Sequence, residues 1–100
     1  MTEAYDRAGL YSFHLTEHHG SPLGLAASPS VFLAAARTKR LRVGPLAYTL
    51  PVYEPLRLIE ETAILDQISN GRLDIGVGRG VVAFETAFLG LTHLDTEPRF

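Results

Sequence analysis

The stretch LDQISNGRLDIGVGRG, residues 65–80, decides the fold. Asn70 and Gly71 stand where a run of periodic apolar residues stops, and a left-handed residue there closes a helix at little steric cost. Leu73, Ile75 and Val77 then alternate with Asp74, Gly76 and Gly78, which predicts a strand with one face in a core. The sixteen residues thus read as the end of a helix, a tight turn and a short strand. Arg79, flanked by Gly78 and Gly80, follows the strand directly. Ligand contacts in α/β folds collect where parallel strands end, so Arg79 is the first candidate for an anion or substrate contact.

Upstream the same alternation repeats. Leu56 to Ser69 predicts the strongest helix, with Leu58, Thr62, Leu65 and Ile68 in a broad apolar stripe beside Leu56, Ile59 and Ala63. Leu41 to Leu50 predicts a strand. Pro45 inside it removes a ladder donor, which implies a bulge or irregular peptide over Gly44–Ala47. Ser28 and Pro29 are an N-cap and first-turn pair for a helix reaching about Arg37. Leu10 to Thr16 is strand-like, residues 2–8 read as helix turns closed by Gly9, and a short helix is expected over Ala83–Leu89.

The order is α-β-α-β-α-β-α. Crossovers that contain a helix make parallel strand pairs of right-handed connection. Two α/β architectures use this unit, the doubly wound sheet and the (β/α)8 barrel. Three strands alone leave two bare edges, and the sequence starts inside a helix pattern and stops at Phe100 without a capping element. The expectation is that residues 1–100 are a fragment of one larger domain, with about three parallel β-α units.

Composition narrows the function classes. Of 100 residues, 46% are hydrophobic and 20% charged, which favours a packed core over disorder. A net charge of −2 offers no basic stripe for nucleic acid. The one basic cluster, residues 37–42 (RTKRLR), reads as a solvated loop after a helix. No run approaches the roughly 18 apolar residues of a membrane span. The absence of cysteine removes disulfides and thiolate metal sites and fits a cytoplasmic, soluble protein.

In a parallel sheet the three strand ends share one face. They carry Glu17, His18 and His19, then Thr49, then Gly78, Arg79 and Gly80. A histidine can serve as a base near neutral pH with a carboxylate fixing its tautomer. Alternatively, one histidine caps the loop and the other faces solvent. Two motif lookalikes carry less. Residues 76–80 (GVGRG) lack the third glycine of a dinucleotide fingerprint. His14 to His18 matches H-x-x-E-H, but zinc binding at that spacing needs a helix and residues 11–16 are strand-like, so His14 is expected in the core. His93 lies in a loop with nothing tying it to the others.

Three colinear runs, residues 16–20 (TEHHG), 44–51 (GPLAYTLP) and 65–80, together resemble the bacterial luciferase-like flavin monooxygenase family. The likeness spans about Ala4 to Gly90 and would cover only the early strands of a family member. It implies a partial (β/α)8 TIM barrel that binds reduced FMN and uses dioxygen to oxygenate a small organic substrate, with FMN reduced by a separate flavin reductase and homodimers common. By position, it implies that His18 is the active-site histidine supported by Glu17 and His19. It also implies that Leu46 and Ala47 form a non-proline cis peptide under the flavin ring, and that Arg79 lies near the flavin's anionic portion. Luciferases proper carry a reactive cysteine where this chain has Gly78, so light emission is not implied. The helix from Ser30 to Arg37 reads about two residues shorter than in relatives. A deazaflavin-dependent oxidoreductase of the same barrel is the alternative enzyme, and a non-catalytic fragment that pairs with a partner chain is the alternative without chemistry.

Overall fold

The computed structural model describes residues 1–23, 26–34, 37–80, 82–92, 96 and 98–100. In chain order these form α1 (Thr2–Arg7), β1 (Ser12–Leu15), α2 (Pro29–Ala34), β2 (Arg42–Pro45), β3 (Tyr48–Thr49), a 3-10 turn (Leu50–Val52), α3 (Pro55–Ser69), β4 (Val77–Gly78) and α4 (Ala83–Phe88). His93 and the end of the helix expected to reach Arg37 lie outside the described residues.

All strand pairs are parallel. β1 runs beside β2 with Ser12 opposite Arg42 and Leu15 opposite Pro45, and β3 runs beside β4 with Tyr48 opposite Val77. One strand was expected over Leu41–Leu50, and it is divided into β2 and β3 at Leu46–Ala47, within the segment that Pro45 marked as irregular. The ladder nevertheless continues across the break. Val43 N donates to Arg72 O, Asp74 N to Val43 O, Gly76 N to Pro45 O and Tyr48 N to Gly76 O, all at 2.9–3.0 Å. These bonds put the middle strand, β2 and β3 together, between β1 and the extended segment 72–78 that ends in β4 and forms the third strand.

The caps are those that the sequence requires. Pro55 opens α3, the Glu54 carboxylate accepts from Arg57 N at 2.9 Å, and Asn70 closes the helix in the left-handed region at φ 58°. Gly44 is needed for a different reason. A Cβ there would stand 1.8 Å from the carbonyl oxygen of Asp74, so only glycine lets the third strand come this close.

The core is built from Leu33, Leu41, Val43 and Leu65, with Tyr5, Phe13, Phe32 and Leu73 packed around them. Phe13 links α1 to α2, its ring centroid 5.9 Å from Tyr5 and 6.3 Å from Phe32.

Three packing expectations need correction. Of the α3 stripe only Leu65 is buried, while Leu56, Ile59 and Ile68 are exposed; α2 meets α3 along one narrow face, and no described element covers the rest. Similarly, Leu73 reaches the core but Ile75 and Val77 are about half exposed. His14 is also exposed rather than in the core, because alternation along β1 turns Leu15 inward and His14 out.

The basic cluster is more ordered than a solvated loop. The side chains of Arg37, Lys39 and Arg40 are exposed, but the backbone of residues 39–41 wraps the Asp6 carboxylate, with Lys39, Arg40 and Leu41 N–H donors at 2.7, 2.9 and 2.6 Å. Arg42 forks onto Asp74, its Nε 2.9 and 3.0 Å from the two carboxylate oxygens. Arg72 donates to Ser69 O, Thr38 Oγ1, Thr38 O and Leu41 O, joining the end of α3 to the start of the middle strand. No described helix is long and apolar enough to cross a membrane.

Candidate active site

β1, β3 and β4 all end at one cavity of about 250 Å³. Its walls include Glu17, His18, His19, Leu46, Ala47, Gly78 and Arg79, so the structure brings together every residue that the sequence singled out for the site. His14 is not among the lining residues. Its partner in the H-x-x-E-H spacing, His18, lies beyond the end of β1, so the two do not share a helical turn. Among the described residues no group of His, Cys, Asp or Glu side chains converges as metal ligands do.

The two histidines are held by two different carboxylates. Glu17 has a fully buried side chain on which three donors converge: His19 Nε2 at 2.6 Å, the Tyr53 hydroxyl at 3.0 Å and Thr49 N at 2.7 Å. Its carboxylate therefore ties the end of β1 to the end of β3 and orients the His19 ring. Burial and the charge of Glu17 push the Tyr53 phenol well above its ordinary range, so it stays protonated as a donor. Tyr53 also meets Tyr48 edge to face at 5.3 Å, and the fully buried Tyr48 hydroxyl pairs with Ser30 Oγ at 2.7 Å. Burial raises the Tyr48 phenol too.

His18 is partnered instead by Glu85, which comes from α4. His18 Nδ1 lies 2.9 Å from Glu85 Oε1, and Ser21 Oγ donates to the same oxygen at 2.9 Å. Burial acts to raise the Glu85 carboxyl, but hydrogen bonds from Ser21, His18 and the His19 backbone outweigh it and hold the group below the ordinary carboxylate range. Sequence reasoning missed Glu85. Its partner lies 67 positions away, and a single glutamate in a six-residue helix has no local signal that points to a histidine. Tyr53 was missed for the same reason, being 36 positions from Glu17.

The lining also includes Leu46, Ala47, Gly78, Arg79 and Gly80. The Leu46–Ala47 peptide is cis. A Cβ on Gly78 would rest in ordinary contact with Ala47 at 3.5 Å, whereas one on Gly80, at φ +84°, would press within 2.7 Å of Thr49 Cγ2. Gly80 therefore keeps the backbone low beside Thr49. Arg79 is half-buried at the cavity and has no carboxylate within ion-pair distance among the described residues. The site so built has a carboxylate-held imidazole, a cation and the small residues Ala47, Gly78 and Gly80 in its lining.

The chain is similar to known proteins along nearly its whole length. The chain is 36% identical over 98 residues to limonene 1,2-monooxygenase of Rhodococcus erythropolis, covering 96% of this chain and 25% of that protein. It is 40% identical over 87 residues to the oxygenase component of a flavin-dependent trigonelline monooxygenase of Acinetobacter baylyi, covering 85% and 24%. Among solved structures, monooxygenase RslO1 of Streptomyces bottropensis superposes with a TM-score of 0.94 at 34% identity, over 99% of this chain and 31% of that one. The oxygenating constituent of 3,6-diketocamphane monooxygenase of Pseudomonas putida, in complex with FMN, gives a TM-score of 0.87 at 28% identity, over 92% and 26%. The chain thus spans about a quarter of the length of the curated relatives it matches. The model of the luciferase-like monooxygenases matches residues 1–100, and the chain belongs to that family.

Proposed function

We propose that this chain contributes three β-α units of a (β/α)8 barrel to an FMN-dependent monooxygenase that oxygenates a small organic substrate with dioxygen. The observation that carries this reading is the convergence of Glu17, His18, His19, Leu46, Ala47, Gly78 and Arg79 on one cavity at the strand ends, in a chain similar to flavin-dependent oxygenases. FMN fits the residues present. Ala47, Gly78 and Gly80 are small lining residues beside which a planar ring would fit, and Arg79, with no carboxylate partner among the described residues, suits an anionic group. A cavity of about 250 Å³ lies just below the usual range of small-molecule pockets and would accommodate part of such a cofactor.

When bound, reduced FMN supplies the electrons that activate dioxygen for insertion. The chain's own residues would bind and orient. Arg79 holds negative charge on the cofactor, and Gly78, with no side chain, leaves room beside Ala47. His18 accepts or returns a proton at the ring nitrogen not engaged by Glu85. Glu17 acts through His19 and Thr49 and does not need to reach the substrate. Reduction of FMN by a separate reductase fits the relative that is named as an oxygenase component.

Titration of the intact protein with FMN and with a deazaflavin tests the cofactor. Saturable binding of FMN is expected, and a response to the deazaflavin alone would replace the oxygenase with a hydride-transfer enzyme. His18→Ala is expected to abolish oxygenation while the circular dichroism spectrum is unchanged; retained turnover would remove His18 from the chemistry.

A further inference from the structure

We propose that Glu85 is the positioning residue for His18: its carboxylate holds the imidazole through Nδ1–H, so that Nε2 is the nitrogen presented to the cavity. His18 Nδ1 and Glu85 Oε1 are 2.9 Å apart, both residues line the cavity, and the Glu85 side chain is only 10% exposed. Glu85 is itself fixed. Ser21 Oγ donates to the same carboxylate oxygen at 2.9 Å. The loop after β1 therefore closes over the first turn of α4 through one carboxylate.

The direction of the His18 bond follows from the acceptor. An ionised carboxylate accepts only, and Glu85 is held on the ionised side of its ordinary range by the donors around it. The proton of a neutral His18 therefore belongs on Nδ1. Among the described residues Nε2 has no hydrogen-bond partner, and it is the ring nitrogen left to exchange a proton with a bound molecule. Glu17 does not take this role, since its hydrogen bonds go to His19, Tyr53 and Thr49 and none reaches His18.

This inference rests on the oxygenase reading for its kinetic consequence only. The structural part is read without cofactor or substrate, from nitrogen-15 spectra of the intact protein labelled at histidine, with the His18 signals assigned by their loss in His18→Asn. Wild-type His18 is expected as the Nδ1–H tautomer. In Glu85→Gln the side-chain amide can donate to Nδ1, and the Nε2–H tautomer is expected to become populated. In the oxygenation assay the same variant is expected to lose about 10²-fold in kcat with KM for the organic substrate within about threefold. A wild-type His18 in the Nε2–H form overturns the assignment whether or not Glu85→Gln folds. So does an unchanged tautomer in a folded Glu85→Gln. If the tautomer responds as stated and no FMN-dependent oxygenation is found, the positioning role stands and the oxygenase reading falls.

Discussion

Glu17 shows how a single side chain becomes structural even beside a catalytic candidate. Its carboxylate receives a ring N–H, a phenol and a backbone amide with no water access. Glu17→Gln would turn one acceptor oxygen into an amide that meets a donor head-on. Leaving a buried donor unsatisfied costs about 1–3 kcal/mol, so the urea midpoint should fall by a corresponding amount with the m-value unchanged. Gly44 is constrained by space. Gly44→Ala places a methyl 1.8 Å from the carbonyl oxygen of Asp74, and relief requires the third strand to move. A loss of about 1–3 kcal/mol is expected in the same measurement, and an unchanged midpoint would show that the strands part freely.

At the scale of elements, two carboxylates join neighbours that are distant in sequence. Asp6 ties α1 to the loop before β2, and backbone hydrogen bonds, from Lys39 first, lower its carboxyl below the ordinary range despite burial. Asp74 ties the third strand to β2 and is lowered chiefly by its hydrogen bonds from Arg42. A carboxyl depressed in the folded state binds fewer protons than in the unfolded chain, so its stabilisation is complete above the unfolded pKa of about 3.9 and is lost as pH falls through the folded value. Wild-type Tm should therefore drop steeply below about pH 4. Asp6→Asn and Asp74→Asn should each start lower at neutral pH and show a shallower acid limb; parallel curves would dissociate these groups from acid unfolding. Neither tie was visible in the sequence. The pattern around residues 65–80 revealed the helix, its left-handed stop at Asn70 and the strand direction because each is a local property of backbone and hydrophobic period. Pro45 likewise marked the break between β2 and β3. Asp6 and its amide donors are 33–35 positions apart, as Glu85 and His18 are 67 apart, and only the folded crossovers bring them together. The α3 period predicted an apolar stripe correctly as a pattern, but a period does not say which neighbouring layer covers it, and most of that stripe lies open.

In the whole molecule the two ends of the parallel strands have separate tasks. The carboxyl ends carry the cavity, with Arg79, His18, Gly78 and Gly80. Beside the Glu17 tie at the carboxyl ends, the amino ends carry the larger set of ties: Asp6 on residues 39–41, Arg42 on Asp74, and Arg72 on Thr38, Leu41 and Ser69. This is the division expected of α/β barrels, where one face supports chemistry and the other stability. It can be tested with one substitution at each end. Arg72→Lys keeps the charge but cannot reproduce a planar fork that reaches a hydroxyl and three carbonyls, so it should lower unfolding free energy by about 2 kcal/mol and leave FMN affinity within twofold. Arg79→Ala removes a cation that has no carboxylate partner among the described residues. Its stability change should stay within about 0.5 kcal/mol. If it faces the anionic part of FMN, the lost charge-assisted contact of about 1.5–3 kcal/mol corresponds to roughly tenfold or greater weakening in a fluorescence titration. Equal losses of stability and affinity in both variants would mean that the two ends are coupled through the sheet, and an Arg79→Ala protein that binds FMN normally would leave that arginine for the substrate.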